Sequence, residues 1–196
     1  MRLLSAIRAL FFPTVLAAAL PWPASAQITA QTPPDTTPAW TKGIQAISAE
    51  SYWNAVECGK QGGEKSACVF YDADLCKNDD FTLALYTPYK QVAYTVWLAV
   101  RKKQPAPTPS YADAQRQRVI LGITPVRGSK NPISSVVIKR GGKTVAPVTQ
   151  LLDAGGGSFT FDFAPFAPTA GITLDLIGKA KTHSCAVSRA ALSRFR

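Results

Sequence analysis

Histidine is almost missing from this 196-residue chain: His183 is the only one. A zinc site of ordinary spacing needs paired Cys or His ligands, so a single His and no CxxC pair exclude it, together with a thioredoxin-like redox motif. There is no GxSxG elbow to present a serine nucleophile and no P-loop, and Gly155-Gly156-Gly157 does not fit dinucleotide-binding spacing. No cofactor is expected. Acidic residues are missing from the start of the chain, where Asp35 is the first. Long apolar runs are missing too. The stretch Ala9 to Leu20 is interrupted by Pro13 and Thr14 and reaches about half of the ~20 residues a membrane-spanning helix requires. No later run is apolar enough, so no transmembrane segment is expected after residue 26.

That short run carries its own meaning. Arg2 and Arg8 precede it, Pro21 and Pro23 break it, and Ala24-Ser25-Ala26 sets small residues where a signal peptidase cuts. Residues 1–26 therefore read as a cleavable secretory signal, and the expected location is periplasmic or extracellular. Residues 27–40, rich in Pro and Thr, read as a disordered leader. Residues 41–196 are expected to form a single disulfide-containing domain, mixed and helical over 41–118 and β-rich over 119–196. Removing Arg2 and Arg8 with the signal takes the formal charge from +10 to +8. Between Glu50 and Asp80 seven acids face three lysines, whereas from Phe81 onward sixteen basic residues face four acids. A basic body of this kind can approach anionic envelope components, and nucleic acid is not an expected partner outside the cytoplasm.

The four cysteines are Cys58, Cys68, Cys76 and Cys185, an even number in a chain sent to an oxidising compartment. Three pairings are open, and each joins one of the clustered three to Cys185. Spacing favours Cys58 with Cys68, around Gly62-Gly63, and Cys76 with Cys185.

Local patterns place the elements. Ser48 caps a short helix through Val56, with Tyr52, Trp53 and Val56 sharing a face and Gly59 as its stop. Phe81 to Leu85 alternates as a strand. Thr87-Pro88 then opens a helix to Lys102, and Ser110 with Asp113 resembles a capping box for a turn through Gln117. Val119–Thr124 and Ile133–Arg140 read as strands, and Gly141-Gly142 turns the second into Lys143–Val145. Phe159, Phe161 and Phe163 alternate on one face, as do Ile172, Leu174 and Leu176. Ser188 caps a last helix, Arg189 to Phe195. Five or six strands spaced about ten residues apart point to a mainly β fold: an antiparallel, immunoglobulin-like β-sandwich with two or three short helices.

Two segments look like sites. Asp72 to Asp80 is rich in oxygen ligands, but Lys77 and Leu83 stand where a calcium-binding EF-hand needs Gly and Glu, so it reads as a solvated acidic loop. Tyr86, Tyr89, Tyr94 and Trp97 lead into Arg101, Lys102 and Lys103, a combination suited to polymers, glycans or anionic head groups. The expected function is a non-enzymatic binding or accessory module of the cell envelope, with anionic envelope material or another envelope protein as partner. The alternative is a small secreted hydrolase built on carboxylates, since His183 beside Ser184 reads as a surface residue near a disulfide. The layout of signal, cysteine cluster, β-rich body and late cysteine resembles the small secreted invasion-associated proteins of some bacteria. The resemblance is one of overall plan and implies no residue role.

Overall fold

The computed structural model describes residues 43–61, 63–64, 66, 68–70, 75–76, 78–105 and 110–195. The expected signal and leader, and Asp72 and Asp74 of the acidic loop, lie outside them. Helix α1 spans Ala49–Lys60, with Ser48 as its cap: the Ser48 hydroxyl accepts from the Ser51 amide, one of the first-turn N–H groups that lack a helical partner. Strand β1 is Phe81–Tyr86 and helix α2 is Pro88–Arg101, where the buried Thr87 caps Lys90 and Pro88 supplies the preset first turn. A short helix α3, Tyr111–Arg116, follows, capped by Ser110.

Gly59 does not stop α1; the helix runs past it. A Cβ at Gly59 would lie 2.5 Å from the Ala93 carbonyl oxygen and 2.7 Å from Val96 Cβ, so the missing side chain is what lets α1 and α2 touch. Tyr89 donates to Asn54 O and Trp97 to Gly63 O, so the contacts advance together along both helices, which run in the same direction. Their shared core holds Tyr52, Ala55, Val56, Cys58, Val69, Val92, Ala93 and Val96, with Ala114 from α3. Trp53, expected on that face, is instead 58 % exposed, because it lies about a quarter turn from Tyr52 and the buried stripe follows Tyr52, Ala55, Val56 and Gly59. Gly59→Ala is therefore expected to destabilise the protein by about 1–3 kcal/mol in urea titration, although the same change in an exposed helix stabilises. A gain in stability would disprove the close approach.

The remaining strands are β2 Val119–Pro125, β3 Ile133–Arg140, β4 Lys143–Val145, β5 Thr149–Asp153, β6 Gly156–Phe161, β7 Ile172–Gly178 and β8 Thr182–Val187. A short helix α4, Arg189–Leu192, capped by Ser188, follows β8. The strands form two antiparallel four-stranded sheets, ordered β1-β2-β6-β5 and β4-β3-β7-β8. Gly141 and Gly142, both at positive φ, make the tight β3–β4 turn. The next reversal sits at Ala154-Gly155, and Gly156 and Gly157 belong to β6, where a Cβ on Gly156 would meet the Ile123 carbonyl at 2.4 Å. Phe163 falls outside β6 and leads a single 3-10 turn, Ala164–Phe166, so two rather than three aromatic rings alternate on that strand. Strands β5 and β8 carry too little apolar alternation to be read from sequence.

Alternate residues of both sheets meet in one buried cluster. It includes Phe81, Leu83 and Leu85 of β1, Leu121 of β2, Val136 and Ile138 of β3, Phe159 and Phe161 of β6, and Leu174 and Leu176 of β7. Each of the two cores has its own disulfide. Cys58 pairs with Cys68 among the helices, and Cys76, just before β1, pairs with Cys185 in β8. This is the pairing that spacing favoured.

Candidate functional site

One polar cluster sits where Cys76–Cys185 brings β1 and β8 together. His183 is not a surface residue: it lies in β8 with its ring edge-on to Phe81 and Nε2 2.7 Å from Asp80 Oδ2. An ionised carboxylate can only accept, so the ring nitrogen donates. Asn131, 3 % exposed in the β2–β3 connection, uses every hydrogen-bonding position it has. Its Nδ2 donates to Asp80 Oδ2 and Lys181 O, and its Oδ1 accepts from the Ala180 and Lys181 amides. Ser129 donates to Asp80 Oδ1, and Lys181 Nζ stands 3.2 Å from Oδ2. Gly178 leaves room for this, since a Cβ there would overlap Asn131 Oδ1 at 2.1 Å. A hydrolytic triad would need the serine hydroxyl on the imidazole. Here Ser129 bonds the carboxylate, and the cluster works as a clasp between three chain segments.

His183, opposed by desolvation and assisted by Asn131, Lys181 and Ser129, holds the Asp80 carboxyl well below the usual carboxylate range. Asp175 of β7 is lowered as well, chiefly by Lys139, whose Nζ is 2.6 Å from Oδ2, with Ser184 donating to Oδ1. Both folded-state values are depressed. Their contribution to stability is thus complete above the unfolded value near ~3.9 and is lost as pH falls below it. Urea midpoints should be flat from pH 6 to about 4.5 and then decline steeply, with a shallower acid decline in Asp175→Asn. Equal acid slopes in the two proteins would remove Asp175 from the account.

The second cluster lies on the outer side of α2. Tyr94 stacks on Trp97 with centroids 5.6 Å apart, Tyr86 meets Tyr94 edge-on at 5.7 Å, and Phe70 meets Trp97 at 5.1 Å. Arg101 lies over the Trp97 ring, 5.6 Å from its centroid, and Lys90 Nζ lies 4.9 Å from that of Tyr86. Three rings therefore follow one another, with a cation–π contact at each end, one from the buried Lys90 and one from the exposed Arg101. Arg101, Lys102 and Lys103 are exposed, and Tyr86, Tyr94 and Trp97 are half-buried. Tyr89 is apart from them: it is 8 % exposed and faces α1, because it sits a quarter turn from the Tyr86–Tyr94–Trp97 stripe. Sequence patterns missed one aromatic member, Phe70, which is 37 % exposed and follows the Cys58–Cys68 loop. Trp53 is exposed on α1, where its ring meets Tyr52 rather than this cluster.

Among the described residues no group of three or more His, Cys, Asp or Glu could hold a metal ion, and no helix is long and apolar enough to cross a membrane. No family model, curated protein or solved structure matches this chain.

Proposed function

We propose that this protein is exported, loses residues 1–26, and serves as a non-enzymatic binding module of the periplasm or cell exterior. Its surface is the Tyr86–Tyr94–Trp97–Arg101 stripe with Lys102 and Lys103, and its ligand is anionic envelope material bearing phosphate head groups. The observation that carries this is the stacking of Arg101 on Trp97 and Trp97 on Tyr94 beside two exposed lysines. Amphipathic rings favour a boundary between water and apolar material, and each nearby cation adds about 1 kcal/mol of attraction to an anionic surface. Two disulfides agree with an oxidising compartment.

The scaffold in this reading is an immunoglobulin-like sandwich. Lettering the strands A, B, C, C′, D, E, F and G in chain order turns β1-β2-β6-β5 into A-B-E-D and β4-β3-β7-β8 into C′-C-F-G. Those are the neighbours of the immunoglobulin plan with one C′ strand added, and the single buried cluster fed by both sheets is what a sandwich requires. The disulfide differs, joining the segment before A to G rather than B to F.

The test is co-sedimentation of the oxidised protein, Gln27–Arg196, with vesicles of phosphatidylglycerol and phosphatidylcholine, against vesicles of phosphatidylcholine alone. Retention on the anionic vesicles that weakens as salt rises is expected. Equal partition to both kinds, or to neither, would refute this surface.

A further inference from the structure

Strand β5 ends its sheet and leaves one edge unpaired, and all five of its residues are exposed. Leu151 is 73 % exposed and Leu152 51 %; as neighbours in a strand they point to opposite faces, so the edge is apolar on both sides. Free edges are normally guarded by Lys, Pro, a bulge or extreme shortness. Strand β4 shows two of these, being three residues long and opening with Lys143. Strand β8 is tied down by Cys76–Cys185 and by His183 to Asp80. The β5 segment, Thr-Gln-Leu-Leu-Asp, has no Lys or Pro, and its pairing with β6 runs without a break in register.

From this we infer that β5 is the pairing edge for a second copy of this chain, which adds its own β5 antiparallel about a two-fold axis at Leu151. That register sets Leu151 against Leu151, Gln150 against Leu152 and Thr149 against Asp153. No like charges face each other, and the threonine hydroxyl can donate to the aspartate. Charge also selects this direction. A groove of about 370 Å³ opens at the Val148 end of the strand, between Val148, Val145 and Pro165; Lys143 and Arg140 line it, and its one carboxylate, Asp162, is ion-paired with Arg118. In the antiparallel pair Asp153 of each copy arrives at that basic end of the other. Neither Asp153 nor Lys143 has an ion-pair partner among the described residues. A parallel pair would leave both aspartates together and away from the lysines. The product is a symmetric dimer with a continuous eight-stranded sheet, closed because the two-fold pairing uses the β5 edge of both copies. A five-residue strand pair buries less than ~1,200 Å², so the dimer should form at ~10 µM and above rather than at nanomolar concentration. This inference is independent of the α2 surface.

Sedimentation velocity of the oxidised protein from about 5 to 500 µM provides the test, with two variants beside it. The wild type is expected to shift from monomer to dimer across that range. Leu151→Lys places two ammonium groups opposite each other and should raise the dissociation constant by more than about tenfold while leaving the thermal midpoint unchanged. Leu151→Cys should give a covalent dimer on mild oxidation, linked through residue 151 by peptide mapping. Monomer throughout, with no 151–151 link, would overturn the inference and leave the edge to a strand from a different protein. A dimer that Leu151→Lys does not weaken would overturn it equally.

Discussion

Replacing Cys76 and Cys185 together by serine is expected to lower the unfolding free energy by roughly 4–5 kcal/mol. The two residues are 109 apart in sequence, and reopening so long a loop returns that much freedom to the unfolded chain. The Cys58–Cys68 pair closes only ten residues, and its removal should cost about 2–3 kcal/mol. The bridges also differ in what they secure. Cys76 and Cys185 belong to the β core and hold the start of β1 against β8, one edge strand from each sheet. Cys58 is part of the helical core, and the loop it closes with Cys68 precedes Phe70. Urea titrations of the two double-serine variants should separate these roles. The long-bridge variant should have the lower midpoint, and the short-bridge variant should keep the β core while weakening the Phe70–Trp97 contact. Equal losses, or less than about 1 kcal/mol for the long bridge, would mean that the chain closes its sheets without the clasp.

The second large effect is expected from Asn131→Asp, a change that alters neither size nor shape. Both Nδ2 hydrogens of Asn131 are committed, one to the Asp80 carboxylate at 3.0 Å and one to the Lys181 carbonyl at 3.0 Å. A carboxylate at this position would aim an oxygen at two acceptors, one already charged, in a place almost closed to water. Lost hydrogen bonds to buried groups and an uncompensated buried charge each carry penalties of a few kcal/mol, so a loss of about 3 kcal/mol at pH 7 is expected. The pH dependence distinguishes this from simple misfit. The new carboxyl is driven to a raised folded-state value, so its penalty is present above the unfolded value and disappears as acid neutralises it. The deficit relative to wild type should therefore shrink between pH 7 and pH 4, whereas Asn131→Leu should show a deficit that does not. Chemical denaturation at four or five pH values measures both. A pH-independent deficit in Asn131→Asp would contradict the assigned amide orientation.

Much of this architecture is legible in the residues. Ser48, Thr87, Ser110 and Ser188 each precede a helix and each accepts from a backbone amide three residues on, as capping chemistry requires. Gly141-Gly142 turned where two positive-φ residues had to turn. The disulfide pairing is the one favoured among the three that the sequence left open. What stayed hidden depended on contacts between distant segments. Strand β8, Thr-His-Ser-Cys-Ala-Val, has almost no apolar alternation of its own. It is a strand because β7 supplies its hydrogen-bonding partner. Strand β5 is exposed on both faces, so no burial pattern marks it. Gly59 carries the same letter whether it stops a helix or admits a neighbour, and only the nearness of Ala93 decides between them. The aromatic stripe was visible as composition. Its division into Tyr89 inside and Tyr86, Tyr94 and Trp97 outside follows helical phase once α1 is known to cover one side. Phe70 joined it only through the Cys58–Cys68 loop.

The binding surface on α2 is the central claim, and it can be tested without touching the fold. Arg101, Lys102 and Lys103 are exposed at the end of the helix. Changing all three to glutamine removes the cations and leaves Tyr94 and Trp97 stacked. At about 1 kcal/mol per cation near an anionic surface, affinity for phosphatidylglycerol vesicles should fall about 100-fold in the triple variant. Its thermal midpoint and its two disulfides should match the wild type. Equal affinities for wild type and triple variant, measured at the same ionic strength, would contradict the account.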